Sequence, residues 1–238
     1  MRISEREAAD LLTHGDPIDL GRAADAERRR RFGDTVTFIV DRNINYTNIC
    51  VNECRFCAFY TKVGAEDGYL LPMEEILAKV GETAAAGGTQ VMIQGGIHPD
   101  LPLSYYENML RAIRDRYPSI VIHSFTATEI LYFAEKEGIT IEDTLRRLQD
   151  AGLASLPGGG AEILVDRVRR LIAPKKIMTE DWLRVMRTAH KIGMESTATM
   201  VIGFGETMAE RVEHMEHIRR LQEETGGFRA FITWTFQP

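Results

Sequence analysis

The sequence predicts an α/β fold, a parallel barrel of the TIM type present as about six βα units behind a short helical extension. Three observations carry that expectation. From residue 36 onward, short apolar segments alternate with amphipathic helical ones. Segments such as Val91-Met92-Ile93 and Ala198-Thr199-Met200-Val201-Ile202 are apolar on both faces, as parallel strands covered by helices must be. The residues that follow these segments are polar or glycine-rich, and a parallel barrel gathers its chemistry at that end of its strands.

Helical patterns at 4–13 and 19–32 form an extension over residues 1–35, and its Arg28 to Arg31 run reads as a solvated helix face. The barrel core follows over 36–238. Its strands are expected at 36–46, 90–94, 119–124, 153–156, 197–202 and 229–235. Its helices are expected at 73–86, 104–116, 128–137, 141–151, 162–171, 179–192 and 207–224, with Pro72, Pro102 and Gly87-Gly88 marking boundaries. Six units make a partial barrel, and a last strand carrying Phe231 and Trp234, with Phe236 just beyond, is a poor natural edge. The chain is therefore expected to be truncated at its C-terminal end.

With 44% hydrophobic and 27% charged residues the chain can bury a large core, and a net charge of -6 argues against a general nucleic-acid binder. The opening Met-Arg-Ile-Ser-Glu-Arg-Glu carries acids, unlike a secretory signal, and no later run is apolar for long enough to span a bilayer. A cytoplasmic enzyme with no nucleic-acid or membrane partner is expected.

The whole cysteine content is Cys50, Cys54 and Cys57. Three thiolates at these spacings suit three irons of a four-iron, four-sulfur cluster whose fourth iron stays open for a ligand, since a centre built only for electron transfer usually takes four cysteines. Structural zinc wants a closed set of four ligands, and the nearest histidines, His14 and His98, are distant in sequence. Disulfide pairing leaves an odd thiol, and ordinary core thiols rarely cluster in this way.

Cys-x3-Cys-x2-Cys with Phe56 before the last cysteine, followed one strand later by Gly95-Gly96, resembles the radical S-adenosylmethionine superfamily along the whole chain. Asp-Arg-Asn-Ile-Asn-Tyr-Thr-Asn-Ile-Cys (41–50), Gln-Gly-Gly-Ile-His-Pro-Asp-Leu (94–101), Leu-Pro-Gly-Gly-Gly-Ala-Glu-Ile-Leu (156–164) and Trp-Thr-Phe-Gln-Pro (234–238) resemble its cyclic dehypoxanthinyl futalosine synthase branch, on the futalosine route to menaquinone. The resemblance implies that Cys50, Cys54 and Cys57 ligate a [4Fe-4S] cluster and that the open iron takes the amino and carboxylate groups of S-adenosylmethionine. It implies that Gly95 and Gly96 approach the methionyl amino group, that Phe56, Ile202 and Gly203 lie by the adenine, and that Glu162 and Ser124 meet the ribose or the methionyl end. Asp41, Asn43, Asn45, His98 and Gly159 are the expected substrate contacts.

The implied reaction is reductive cleavage to a 5'-deoxyadenosyl radical, which takes the ribose C4' hydrogen of dehypoxanthine futalosine. The sugar radical then adds to the benzoate ring, and loss of an electron and a proton gives the spiro product. A flavodoxin or ferredoxin is the implied electron donor. Aminodeoxyfutalosine synthase is the nearest rival, the deazaflavin-cofactor synthases are a more distant one, and a non-catalytic iron-sulfur or zinc scaffold is the alternative of another class. Among the remaining histidines, His123 reads as a core residue and His190, His214 and His217 as outer-face residues on helices. Arg170 and Lys175, near a helix end, read as solvated cations.

Overall fold

The computed structural model describes residues 3–237; Met1, Arg2 and Pro238, which end the two expected segments, lie outside the described residues. Two helices open the chain, α1 (Glu5–His14) and α2 (Pro17–Phe32). Ser4 and Glu7 form a reciprocal capping box that satisfies the free amides at the start of α1. α1 lies against the last helix, where Arg220 Nη2 reaches Glu5 Oε1 at 3.1 Å.

Six parallel strands follow in the order of the sequence: β1 (Asp41–Asn45), β2 (Gln90–Gln94), β3 (Val121–Ser124), β4 (Ser155–Leu156), β5 (Glu195–Ile202) and β6 (Phe228–Thr235). Between them run α3 (Met73–Ala85), α4 (Leu103–Arg116), α5 (Ala127–Glu137), α6 (Ile141–Ala151), α7 (Asp166–Ile172), α8 (Thr179–Lys191) and α9 (Met208–Thr225). Ile44, Val91, Ile93, Ile122 and Leu156 of the sheet are buried with Ile76, Leu110, Ile130, Leu148 and Trp182 of the helices, which makes the core a shell between sheet and helices. The expected α/β half-barrel is present.

Long side chains demonstrate the curl. Arg229 on β6 donates from Nη2 to Gln90 Oε1 on β2 at 3.3 Å and to Ser155 Oγ on β4 at 3.1 Å, and lies 3.2 Å from His123 Nδ1 on β3. Neighbouring strands stand about 4.8 Å apart, so a flat sheet would separate β2 from β6 by roughly 19 Å, beyond any side chain. Gln90 also reaches Asp41 Oδ2 at 3.3 Å, which extends this polar layer to β1.

Several expected elements shift for identifiable reasons. The first strand starts at Asp41 and not at residue 36, because β2 begins with Gln90 opposite Asp41; Val36 and Phe38 remain 80% and 85% exposed. The helix expected from residue 162 starts at Asp166. Glu162 takes φ 41, its carbonyl accepts from Val201 N at 3.0 Å, and Leu164 N donates to His214 Nδ1 at 2.9 Å, so this backbone is bound to β5 and α9. His214 is correspondingly fully buried. His190 is also turned inward, between Thr225 Oγ1 and Ser196 Oγ at 2.7 Å each. Only His217 keeps the expected outer position, 3.8 Å from Glu213 one turn away.

Candidate functional site

The cysteine loop leaves the C-terminal end of β1 and is tied down on three sides. Cys50 N donates to Thr61 O at 3.0 Å, Val51 N to Ile97 O at 3.1 Å, and Arg55 N to Ile172 O at the end of α7 at 2.8 Å. Gly96 belongs to this packing. Its N–H donates to Thr47 O at 2.9 Å, and a Cβ there would stand 2.6 Å from Ile49 C and 2.9 Å from Cys50 Cβ. Gly95 is enforced in the same way, since a Cβ would lie 2.6 Å from the Tyr46 ring. Both glycines thus let the loops after β1 and β2 touch.

These loops enclose a cavity of about 240 Å³ whose walls include Cys50, Cys54, Cys57, Phe56, Asn45, Gly95, Gly96, Thr128, Glu129 and Lys176. Below it Glu129 serves two structures at once. Its Oε2 accepts from Thr126 N at 2.7 Å and from Thr126 Oγ1 at 2.9 Å as the capping box of α5, while Oε1 accepts from Tyr46 OH at 3.1 Å and Gly95 N at 3.4 Å. Burial raises the Glu129 carboxyl above the usual carboxylate range, against those hydrogen bonds. Thr128 Oγ1 is buried with no hydrogen-bond partner, an orphan on the wall of a cavity.

Lys176 enters from the loop between α7 and α8. Its Nζ lies 2.9 Å from Glu162 Oε1 and 5.7 Å from the centre of the Phe56 ring. Burial works against its charge, but Glu162 and Cys54 outweigh that and hold its ammonium above the usual lysine range. Burial pushes the Cys54 thiol up to about 11, with Lys176 pulling it down, so binding iron there must displace a proton. A second apolar cluster, with Cys54, Ile163, Val165 and Met200 at its centre and Phe56, Ile202 and Phe204 packed on it, walls this side; the Phe56 and Phe204 rings are 5.2 Å apart.

The sequence profile of the Radical SAM superfamily matches residues 44–218, which spans the cysteine loop and β1 to α9. This chain belongs to that superfamily. It is 48% identical to cyclic dehypoxanthine futalosine synthase of Streptomyces coelicolor, over 100% of this chain and 60% of that protein. It is 42% identical to 5-amino-6-(D-ribitylamino)uracil–L-tyrosine 4-hydroxyphenyl transferase of Methanococcoides burtonii, over 98% of this chain and 64% of that protein. The chain thus spans under two thirds of the length of these relatives. The FeFe-hydrogenase maturase HydG from Carboxydothermus hydrogenoformans has the same fold, with a TM-score of 0.75 at 19% identity over 100% of this chain and 54% of that one.

Membership in the radical SAM superfamily implies an iron-sulfur cluster and S-adenosylmethionine. The residues fit both. All three thiols line one cavity, Gly96 leaves no space for a Cβ beside Cys50, and Thr128 offers an unused hydroxyl. Among the described residues no three His, Cys, Asp or Glu side chains converge as a single ion would require; a four-iron cluster takes each thiolate on a different iron.

Not every expected contact reaches this cavity. Glu162 is not on its wall but behind Lys176, its second oxygen 3.7 Å from Arg169 Nη1. Ser124 is fully buried, and its Oγ accepts from Ile93 N at 3.2 Å. His98 Nδ1 accepts from Asp100 N at 3.2 Å within its own loop. Gly203 N donates to Glu206 Oε1 at 2.9 Å, and Ile202 packs on the cluster around Cys54. Asn45 lines the cavity and Asn43 lies exposed on the same face of β1, whereas Asp41 sits at the opposite end of the strand with Gln90. Gly159 lies behind two wall residues, where a Cβ would stand 3.0 Å from both Gln94 Nε2 and Thr126 Cγ2.

Tyr46, Glu129, Thr128 and Lys176 are not among the site residues expected from the sequence, although the first lies in the 41–50 motif. The Thr126-x-x-Glu129 capping signature was a signal for one of them; the rest reach the cavity only through packing.

Proposed function

We propose that this chain catalyses the radical cyclisation of dehypoxanthine futalosine to its spiro product, a step of the futalosine route to menaquinone. The observation that carries this reading is the 48% identity with cyclic dehypoxanthine futalosine synthase along the entire chain. When bound, the cluster and S-adenosylmethionine supply one-electron cleavage to a 5'-deoxyadenosyl radical, the chemistry that belongs to the cofactor and not to the protein. The chain's own residues bind and orient. Cys50, Cys54 and Cys57 hold three irons. The Thr128 hydroxyl takes a polar group of the cofactor and thereby ends its own isolation. Glu129, through Gly95 N and Tyr46, fixes the loop on which the methionyl end rests. Phe56, Ile202 and Phe204 exclude water beside Cys54, and Asn45, with Asn43 beside it, presents amides to the substrate. A cytoplasmic flavodoxin or ferredoxin supplies the electron in this reading.

The archaeal relatives favour a second reading, transfer of a tyrosine-derived group to a ribitylaminouracil, at 42% identity. The test is to incubate anaerobically reconstituted protein with S-adenosylmethionine, dithionite and each candidate substrate, and to follow products by mass spectrometry. Formation of 5'-deoxyadenosine with a product two hydrogens lighter than dehypoxanthine futalosine is expected. Consumption of the uracil and tyrosine, or of the enolpyruvyl benzoate used by aminodeoxyfutalosine synthase, with dehypoxanthine futalosine untouched, would overturn the proposal.

A further inference from the structure

Three charged side chains are buried together behind the cysteine loop. Lys176, Glu162 and Arg169 are 12%, 8% and 2% exposed, and the single carboxylate stands 2.9 Å from one cation and 3.7 Å from the other. Arg169 is committed to backbone: it donates to the carbonyls of Ala161 at 2.6 Å, Gly160 at 3.1 Å and Ile177 at 3.0 Å. Lys176 has three protons to give, and its hydrogen bond is to Glu162. It also lines the cavity that all three cysteines line.

Arg169 also has the carboxylates of Asp166 and Asp181 among its electrostatic partners, whereas Lys176 is paired with Glu162, a carboxylate it shares with Arg169, and a largely buried ammonium held this way is costly unless a further anion faces it. The electrostatic partners of both cations include Cys54. Three thiolates holding an iron-sulfur cluster provide such an anion for Lys176, and an electron added to the cluster makes it more negative still.

We propose that Lys176, positioned by Glu162, raises the reduction potential of the cluster held by Cys50, Cys54 and Cys57 by stabilising its reduced state. The inference rests on the cluster reading above. The step involved is the transfer of one electron from an external reductant to the cluster, with no bond made or broken in the protein. Lys175 is the natural control, since its side chain is 56% exposed and its pair with Glu53 lies in solvent, where charge is screened.

The experiment is a redox titration of anaerobically reconstituted protein without S-adenosylmethionine, followed by electron paramagnetic resonance, with iron content measured in parallel. At the wild-type midpoint, Lys176→Met is expected to lower the ratio of reduced to oxidised cluster roughly tenfold, equivalent to about 59 mV for one electron. Lys176→Arg keeps the charge and stays near wild type, Glu162→Gln moves the potential the opposite way, and Lys175→Gln leaves it in place. A structural role predicts no such reversal of sign. Lys176→Met titrating with wild type at full iron content, or Lys176→Met and Glu162→Gln shifting in the same direction, would overturn the inference alone. Wild-type protein that takes up no iron would overturn the cluster reading and the inference together. Should Lys176→Met fail to hold a cluster, Glu162→Gln decides: a raised potential supports the inference, and an unchanged or lowered one overturns it.

Discussion

Replacing Gly96 by alanine tests how tightly the cysteine loop is held. The new Cβ would lie 2.6 Å from Ile49 C and 2.9 Å from Cys50 Cβ, and closer still to the Ile49 carbonyl oxygen, where ordinary contact begins at 3.4 Å. The carbon contact alone requires a movement of about 0.8 Å and the nearer oxygen requires more, and neither side is free to move. Gly96 N is bonded to Thr47 O at 2.9 Å, and Val51 N to Ile97 O at 3.1 Å. Overpacking of this kind costs about 1–3 kcal/mol, and the loss of one buried hydrogen bond about 1 kcal/mol more. The expected destabilisation is about 2–4 kcal/mol, read as a lower urea midpoint of the cluster-free protein, together with reduced iron uptake on reconstitution. Gly21→Ala is the control, because a Cβ there meets nothing within 4 Å and alanine favours the interior of α2 by about 1 kcal/mol. A Gly96→Ala protein with the wild-type midpoint and full iron content would refute this account of the loop.

Tyr46→Phe removes the hydroxyl that donates to Glu129 Oε1 and should cost about 1–2 kcal/mol in urea unfolding; no loss would mean that the bond carries no net stability. Thr128→Val removes a buried hydroxyl without a partner, so ligand-free protein should be unchanged or about 1 kcal/mol more stable, while affinity for S-adenosylmethionine, measured by calorimetry, should fall; undiminished affinity would show that the hydroxyl meets nothing in the cofactor. Burial lowers His123 and His190 to about 4, against about 6.5 in an unfolded chain, so between those values the unfolded state binds more protons. Their contribution is fully present above about pH 6.5 and is lost as the pH falls toward 4, by at most about 3 kcal/mol each. His190→Gln should flatten the pH dependence of unfolding in that window, and an unaltered slope would contradict a neutral buried imidazole.

Much of this protein could be read from its sequence because the signals were local. Runs such as Val91-Met92-Ile93 need cover on both faces, which the outer helices and the barrel interior supply, and prolines and glycines cut the chain close to the observed element ends. The spacing of Cys50, Cys54 and Cys57 pointed to three thiolate donors from residue type and short separations alone, and the fold places all three on one cavity. The edge character of β6 was also legible: Phe231 and Trp234 are 44% and 47% exposed.

Tertiary structure decided everything that depends on residues far apart in sequence meeting at one point. Tyr46 and Glu129 are joined by a hydrogen bond across 83 positions, and Arg229 reaches His123 across 106. Glu162 looked like a free ligand in its glycine loop and instead became one member of a buried charge group, because α7 and the following turn bring Arg169 and Lys176 over it. Gly95 and Gly96 were expected to bare their backbone to a cofactor; the fold gives them an earlier task, letting two loops pack at distances no Cβ would allow. Sequence alone determined which elements form and which atoms can bind iron, because both follow from short-range propensity and side-chain chemistry. The curl of the sheet determined which distant side chains, Thr128, Glu129 and Lys176 among them, share a cavity with those atoms, because closure and burial are properties of the whole chain.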